Sequence, residues 1–271
     1  MKIIEKEYIQ IAKLAALSAG KYLVENFGNK HLPKYKSTND VGLAVDIESE
    51  KIILSIIQQK YPEHNFYLEE LGKIENGSQF TWFIDPLDGT NNYFAGISYF
   101  SVSIALLYNS EIIVGIIYNP ISNQLFEATK NGGAFLNGNK IISSQNMQIE
   151  KSVCSFIQGH NVANILVLEK QAAKIKANLS QKFRRIISTW SPAMDWALLA
   201  FGGIDCLISF ESELEDMYAG ILIAQESDVQ IQNFDGKKFE IGDKRIIATN
   251  LISKSSVLEL LSEFGVNYEY R

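Results

Sequence analysis

Apolar residues recur at helical spacing in the first segment. Ile4, Tyr8, Ile11, Ala15 and Tyr22 share a face there, and Gly28 offers a stop. The polar run around Pro33 and Lys34-Tyr35-Lys36-Ser37-Thr38-Asn39-Asp40 reads as a loop or hairpin. The pairs Ile52-Ile53 and Ile56-Ile57 predict a second helix from about Asp46 to Lys60, closed by Pro62. From Phe66 the period changes. Short aromatic and β-branched runs predict strands at 65–69, 80–84, 98–108, 111–118 and 124–129, joined by turns rich in Asn, Ser, Pro and Gly. Beyond residue 150 the pattern alternates. Strands at 153–157, 185–188, 204–209 and 245–248 interleave with helices at 162–179, 192–201, about 215–226 and 255–264. The polar join near 143–151 is short, so segments 1–148 and 149–271 are expected to pack tightly as two subdomains of one unit.

Composition narrows the classes. With 46% apolar and 21% charged residues the chain can bury enough surface to offset its ordering entropy, which rules out dominant disorder. The net charge of −6 argues against a general nucleic-acid polymer binder, while an anionic small molecule stays open because a metal ion can invert the local field. The acidic N-terminus lacks a signal-peptide core, and no apolar run nears the ~18 residues of a membrane helix. A soluble, cytoplasmic protein with no membrane partner is the expectation. Cys154 and Cys206 sit in apolar runs and read as small buried hydrophobes. His31, His64 and His160 have no ligand spacing and read as surface or loop residues.

The informative string is Trp82-Phe83-Ile84-Asp85-Pro86-Leu87-Asp88-Gly89-Thr90-Asn91-Asn92-Tyr93. An apolar strand runs into two carboxylates three positions apart, at the kind of strand end where α/β proteins build sites. Pro86 cannot continue a central strand, so the chain is expected to turn there and bring Asp85 and Asp88 to one side. Hard cations such as Mg²⁺ take such oxygens, and the turn frees the Leu87 carbonyl as another. Gly89 permits close approach, and if Thr90 opens a helix the amides of Gly89 and Thr90 point at an anion. Taken separately, the same residues are ordinary turn formers. Glu69-Glu70 is either a solvated strand end or a source of a further metal ligand. Asp46 and Asp216 each stand near a helix start, where a capping role competes with a functional one.

These strings resemble the inositol monophosphatase family of metal-dependent sugar phosphatases. Residues 82–93 look like its first signature. Asp46-Ile47-Glu48-Ser49-Glu50-Lys51, Leu68-Glu69-Glu70, Gly132-Gly133-Ala134-Phe135-Leu136-Asn137-Gly138, Gly202-Gly203-Ile204-Asp205 and Glu215-Asp216-Met217-Tyr218-Ala219-Gly220 are similar to its other motifs. The resemblance implies an α/β fold layered αβαβα, of the inositol monophosphatase/fructose-1,6-bisphosphatase type. It implies two or three Mg²⁺ ions, with Mn²⁺ as a substitute. It assigns Glu69, Asp85 and the Leu87 carbonyl to one ion, and Asp85, Asp88 and Asp216 to a second. Thr90 paired with Asp46 would orient and deprotonate water, with Glu69 counted among the catalytic groups. Asp88, Gly89, Thr90, Ser191 and Asp216 would line the substrate. Lithium sensitivity and a homodimer follow from the same resemblance.

The reaction implied is phosphomonoester hydrolysis of a small sugar or nucleotide phosphate by direct attack of water. A 3′,5′-bisphosphonucleotide, a sugar bisphosphate and NADP(H) stand as alternative substrates, and a non-catalytic ligand-binding relative as the alternative of another class. The departures fall in the leaving-group pocket. Glu215 replaces the family's Trp, Ser209 stands where animal-type enzymes carry a substrate-contacting Glu, Trp190 replaces a Gly, and Ala95 a polar residue. A haloacid-dehalogenase-type aspartyl nucleophile is the rival within phosphoryl transfer. One extra residue separates the aspartates here, and in an extended strand end it would turn the second to the opposite face.

Overall fold

A computed structural model describes residues 2–29, 34–37, 40–42, 44–146 and 148–249. The elements run α1 (Lys2–Asn26), β1 (Lys34–Ser37), β2 (Asp40–Gly42), α2 (Ala44–Lys60), β3 (Asn65–Leu68), β4 (Gly72–Ile74), β5 (Phe80–Asp88), α3 (Thr90–Ala95), β6 (Ser101–Tyr108), β7 (Glu111–Asn119), β8 (Gln124–Thr129), β9 (Gly133–Leu136), β10 (Asn139–Lys140), β11 (Val153–Gln158), α4 (Leu166–Lys182), β12 (Arg185–Ile187), α5 (Pro192–Phe201), β13 (Cys206–Phe210), α6 (Tyr218–Gln225), β14 (Gln230–Asn233) and β15 (Arg245–Thr249). Single 3-10 turns at Ile149–Lys151 and His160–Asn164 flank β11. The helix expected at 255–264 lies outside the described residues, as does His31.

The first large sheet has the order β10-β9-β8-β7-β6-β5-β3-β4, antiparallel except where β3 meets β5. The second, β12-β11-β13-β15-β14, is parallel through β12, β11 and β13. Period-two alternation decides the layers. Trp82, Ile84, Ile104 and Ile116 pack with Ala12, Ala15, Ala19, Ile53 and Ile57 of α1 and α2. Phe83, Ala105 and Ile117 point the other way, into a core shared with α5, α6 and Leu207, Ile246 and Ala248 of the second sheet. Cys154, Phe156, Cys206 and Ile208 face outward against Ala172, Ile175 and Leu179 of α4. The order of layers is therefore α1/α2, sheet, α5/α6, sheet, α4, the αβαβα sandwich the resemblance implies.

Several local expectations need correction. The helix expected at 162–179 is a 3-10 turn followed by α4, because the chain only settles into helix at Leu166. The helix expected from 215 starts at Tyr218, capped by Met217, so Asp216 lies in the turn before it. His64 is no surface residue. It is buried and stacked on Tyr61 and Phe80, with Nδ1 accepting from Trp82 Nε1 at 3.0 Å, and burial lowers its pKa. Cys154 and Cys206 are buried free thiols opposite each other on β11 and β13. Among the described residues no helix is long and apolar enough to cross a membrane.

The inner layer fits closely. Every residue from Tyr218 to Ala224 of α6 is buried. A Cβ at Gly115 of β7 would stand 2.6 Å from the Ala219 carbonyl oxygen, and one at Gly220 would run into the Trp196 side chain of α5. Gly220→Ala is expected to lower stability by about 1–3 kcal/mol through overpacking, read as a shifted urea midpoint at constant slope.

Candidate active site

The aspartate string does not leave the sheet at Pro86. β5 continues to Asp88 through a bulge, because a step of three residues from Asp85 to Asp88 matches a step of two on β6, from Ser103 to Ser101. Pairing with β3 ends at Ile84, so Pro86 blocks no ladder bond there. Its carbonyl accepts from Ser49 Oγ of α2 at 3.0 Å, which pins the helix to the bulge. Three positions along a regular strand would set the carboxylates on opposite faces. The extra residue restores them to one face, that of Ser101 and Ser103, turned toward the α5/α6 layer. Contrary to the opposite faces expected of an extended strand end, the facing of the two aspartates does not disfavour an aspartyl nucleophile.

Asp85 and Asp88 are buried. Asp85 Oδ1 accepts from the Leu87 amide at 2.9 Å. Burial holds its carboxyl well above the usual range, reinforced by the charges of Glu69, Asp88 and Asp216 and by a hydrogen bond shared with Glu69. Burial also pushes Asp88 up to about 6, against hydrogen bonds from Ser191, Ser101 and the amides of Ala193 and Met194 that pull it down. Ser101 Oγ donates at 2.7 Å, Ser191 Oγ donates to the same oxygen, and the Ala193 amide donates to the other at 3.1 Å. Asp216 is raised by burial, then by Glu215, Asp88 and Glu69. The fold thus brings Glu69, Asp85, Asp88 and Asp216 into one another's field, from β5, the end of β3 and the turn before α6.

Glu69 is placed by a group that sequence reasoning quoted without a role. Glu50 of α2 accepts from the amides of Glu70 and Leu71 at 3.1 and 2.7 Å, fixing the turn beyond β3. Burial raises Glu50 to about 7 despite those bonds. Asp46 is buried in the first turn of α2, one turn before Ser49. Thr90 opens α3, and its hydroxyl donates to the Leu87 carbonyl at 2.9 Å. Gly89 has φ +89°, and a side chain there would stand 3.2 Å from Ser191 Cβ and the Tyr99 carbonyl oxygen, so both its conformation and its neighbours require glycine.

The departures settle into two groups. Ser209 is fully buried at the end of β13, donating to Ser212 Oγ at 2.6 Å. Glu215 is buried beside the acidic cluster, and its Oε2 has no hydrogen-bond partner. Trp190 takes φ +61°, a backbone conformation that favours glycine, and the residue is 63% exposed. Its flanks are held firmly. Asp195 accepts from Thr189 Oγ1 and Ser155 Oγ, both at 2.7 Å, and Asn92 donates to the carbonyls of Thr189 and Tyr99, both at 2.7 Å. Asp195, Ser155, Thr189 and Ser101 were not singled out from the sequence, because no spacing links them. The Asn92 side of the bridge lies inside the quoted string.

Among the described residues, no three His, Cys, Asp or Glu side chains already surround one point as a finished metal site. The donor set nevertheless fits a hard cation. It is all oxygen, most of it is buried, its members raise one another, and Glu215 adds an orphaned carboxylate oxygen. Sharing negative charge in a dry site is costly without a positive partner.

The same charges predict a pH signature. In the fold Asp88 titrates near 6, and Glu50 and Asp195 near 7, against about 4 for unfolded carboxyls. The folded chain then binds more protons between about pH 4 and 7, so stability falls as pH rises through that window. In EDTA the melting temperature should be lower at pH 8 than at pH 5. Mg²⁺ should raise it more at pH 8, where the ligands are deprotonated. No response to Mg²⁺ or Mn²⁺ at pH 8 would count against a cation site.

The sequence profile of the inositol monophosphatase family matches residues 5–264. The chain is 32% identical over 265 residues to the fructose-1,6-bisphosphatase/inositol-1-monophosphatase of Aquifex aeolicus, covering 96% of this chain and 97% of that protein. It is 31% identical over 271 residues to the Nus factor SuhB of Vibrio cholerae, covering 95% and 96%. The crystal structure of the extragenic suppressor protein suhB from Bartonella henselae superposes with a TM-score of 0.88 at 30% identity, over 95% of this chain and 99% of that one. With its motifs on the bulged strand and the surrounding turns, and with similarity across nearly its whole length, the chain belongs to the inositol monophosphatase family.

Proposed function

We propose that the protein is a Mg²⁺-dependent phosphomonoesterase of small sugar or nucleotide phosphates that works by direct attack of water. The observation that carries this reading is the set of four carboxylates, Glu69, Asp85, Asp88 and Asp216, gathered on the inner face of the β5 bulge. Glu69, Asp85 and the Leu87 carbonyl would hold one ion, and Asp85, Asp88 and Asp216 a second, with Glu69 available to a third. Bound there, the ions supply positive charge to the phosphate, activate water and stabilise the departing alkoxide. The amides of Gly89 and Thr90 would hold phosphate oxygens. Thr90 Oγ1 donates to the Leu87 carbonyl, which leaves its lone pairs free to accept from water. A hydroxyl is a poor base, so the proton must pass on to Asp46, and that relay requires the hydroxyl to swing off the Leu87 carbonyl. The water oxygen bonds to phosphorus, the ester P–O bond breaks, and a proton completes the alcohol. Ser191 is directed at Asp88, so its part is to orient that carboxylate at the edge of the substrate pocket.

Kinship with a protein named Nus factor SuhB keeps a binding role without turnover as the second reading. Retention of Asp46, Glu69, Asp85, Asp88 and Asp216 favours catalysis.

Phosphate release from a panel of sugar and nucleotide phosphates with Mg²⁺ tests the reading; no release from any ester would sink it. Asp88→Asn should lower turnover by about 100-fold or more, comparable with losing one preorganised electrostatic group. Thr90→Ala should lower kcat more than it weakens Mg²⁺ binding, and full activity would remove Thr90 from the mechanism. Solvent ¹⁸O should enter phosphate in a single step, whereas a trapped phospho-aspartate at Asp85 would favour the aspartyl nucleophile.

A further inference from the structure

His64 lies between α2 and β3, at the seam where the outer helices meet β5, and its side chain is 3% exposed. Three elements close on it. Tyr61, just past α2, and Phe80 of β5 stack on the imidazole with centroids 4.8 and 4.6 Å away. Tyr8 of α1 touches the imidazole, Tyr61, Phe80 and Trp82. The one polar tie in this aromatic cluster between β5 and the imidazole is the hydrogen bond that the buried Trp82 Nε1 donates to His64 Nδ1 at 3.0 Å.

A ring nitrogen that accepts carries no proton, so the imidazole is neutral with its proton on Nε2. Protonation makes both nitrogens donors. The Trp82 N–H then faces another N–H, and a buried donor left without an acceptor is costly. The charged groups around the ring do not repair this. Glu63 Oε1 stands 3.9 Å from Nε2, and Glu7 of α1 bears on Tyr8 and Tyr61. Both carboxylates favour the cation, yet neither accepts from Trp82. Burial raises the phenols of Tyr8 and Tyr61, the latter to about 12, so neither offers an anion. Glu63 is largely exposed, so its pull on a charged imidazole is outward, away from the indole.

Independently of the phosphatase reading, we propose that His64 is an acid-sensitive latch: with a proton on Nδ1 it releases Trp82 and loosens the seam between β5 and the α1/α2 layer. The seam underlies the acidic site, since β5 also carries Asp85 and Asp88, and α2 carries Asp46, Ser49 and Glu50. The neutral latch stabilises the fold above the ordinary imidazole pKa of about 6.5, and that contribution fades as pH falls below it. The buried carboxylates gain from acid over the same window, so the two act in opposition.

Amide hydrogen exchange of the Mg²⁺-loaded full chain, corrected for intrinsic rates, tests the latch at pH 7.5 and pH 5.5. In wild type, peptides from α1, the end of α2 and the start of β5 should exchange several-fold faster at the lower pH, with a limit of about ten-fold per pH unit for one proton. Peptides from α4, in the opposite outer layer, should stay level. His64→Gln offers Trp82 an amide oxygen at either pH and should remove the step. His64→Phe offers none and should exchange fast at both. Equal steps in wild type and His64→Gln, or a step shared by α4, overturn the proposal. A measurement on wild type alone covers variants that fail to fold. The indole N–H resonance of Trp82 should move with the titration of His64, and a resonance that stays in place down to pH 5.5 removes the latch.

Discussion

Mutual repulsion of carboxylates in a dry place is the constraint around which this molecule is built. One inserted residue in β5 turns Asp85 and Asp88 to the same face, and the layers then deliver Glu69 and Asp216 to that face from other parts of the chain. Nothing in hydrophobic packing asks for such an arrangement. The surrounding structure holds it in place. Ser49 pins α2 to Pro86, Glu50 pins the turn carrying Glu69, and the start of α5 meets Asp88 with the amide of Ala193. Each contact fixes a carboxylate or its backbone while leaving the collective charge in place.

Much of the fold was legible because its layers follow simple periods. The helices on either side of the first sheet and the strands β5 to β8 announce themselves by spacing and by turn residues. What stayed hidden was set by tertiary contact. β4, β9, β10 and β14 are only two to four residues long, so no alternation marks them. His64 looks like a loop residue in sequence and is buried because Trp82, Phe80 and Tyr61 enclose it.

The site was legible in one respect and opaque in another. The string from Trp82 to Tyr93 named the two aspartates, the glycine and the threonine. It misled about the backbone, since a proline between acids reads as an exit from the sheet, and the bulge that actually solves the facing problem leaves no signature of its own. Convergence of Glu69 and Asp216 could come only from the layer order. Asp195, Thr189 and Ser155 were invisible because their role is to hold other residues, and holding has no characteristic spacing.

The anchoring of residues 189 and 191 has a consequence for how a lineage carrying this scaffold can change. Among the described residues, the hydrogen bonds that shape the loop are made by neighbours of position 190 such as Thr189 and Ser191. Substitutions at that one position can therefore alter the exposed surface over generations without disturbing the hold on Asp88 next door. Freedom to vary and the fixed carboxylate are separated by a single peptide unit.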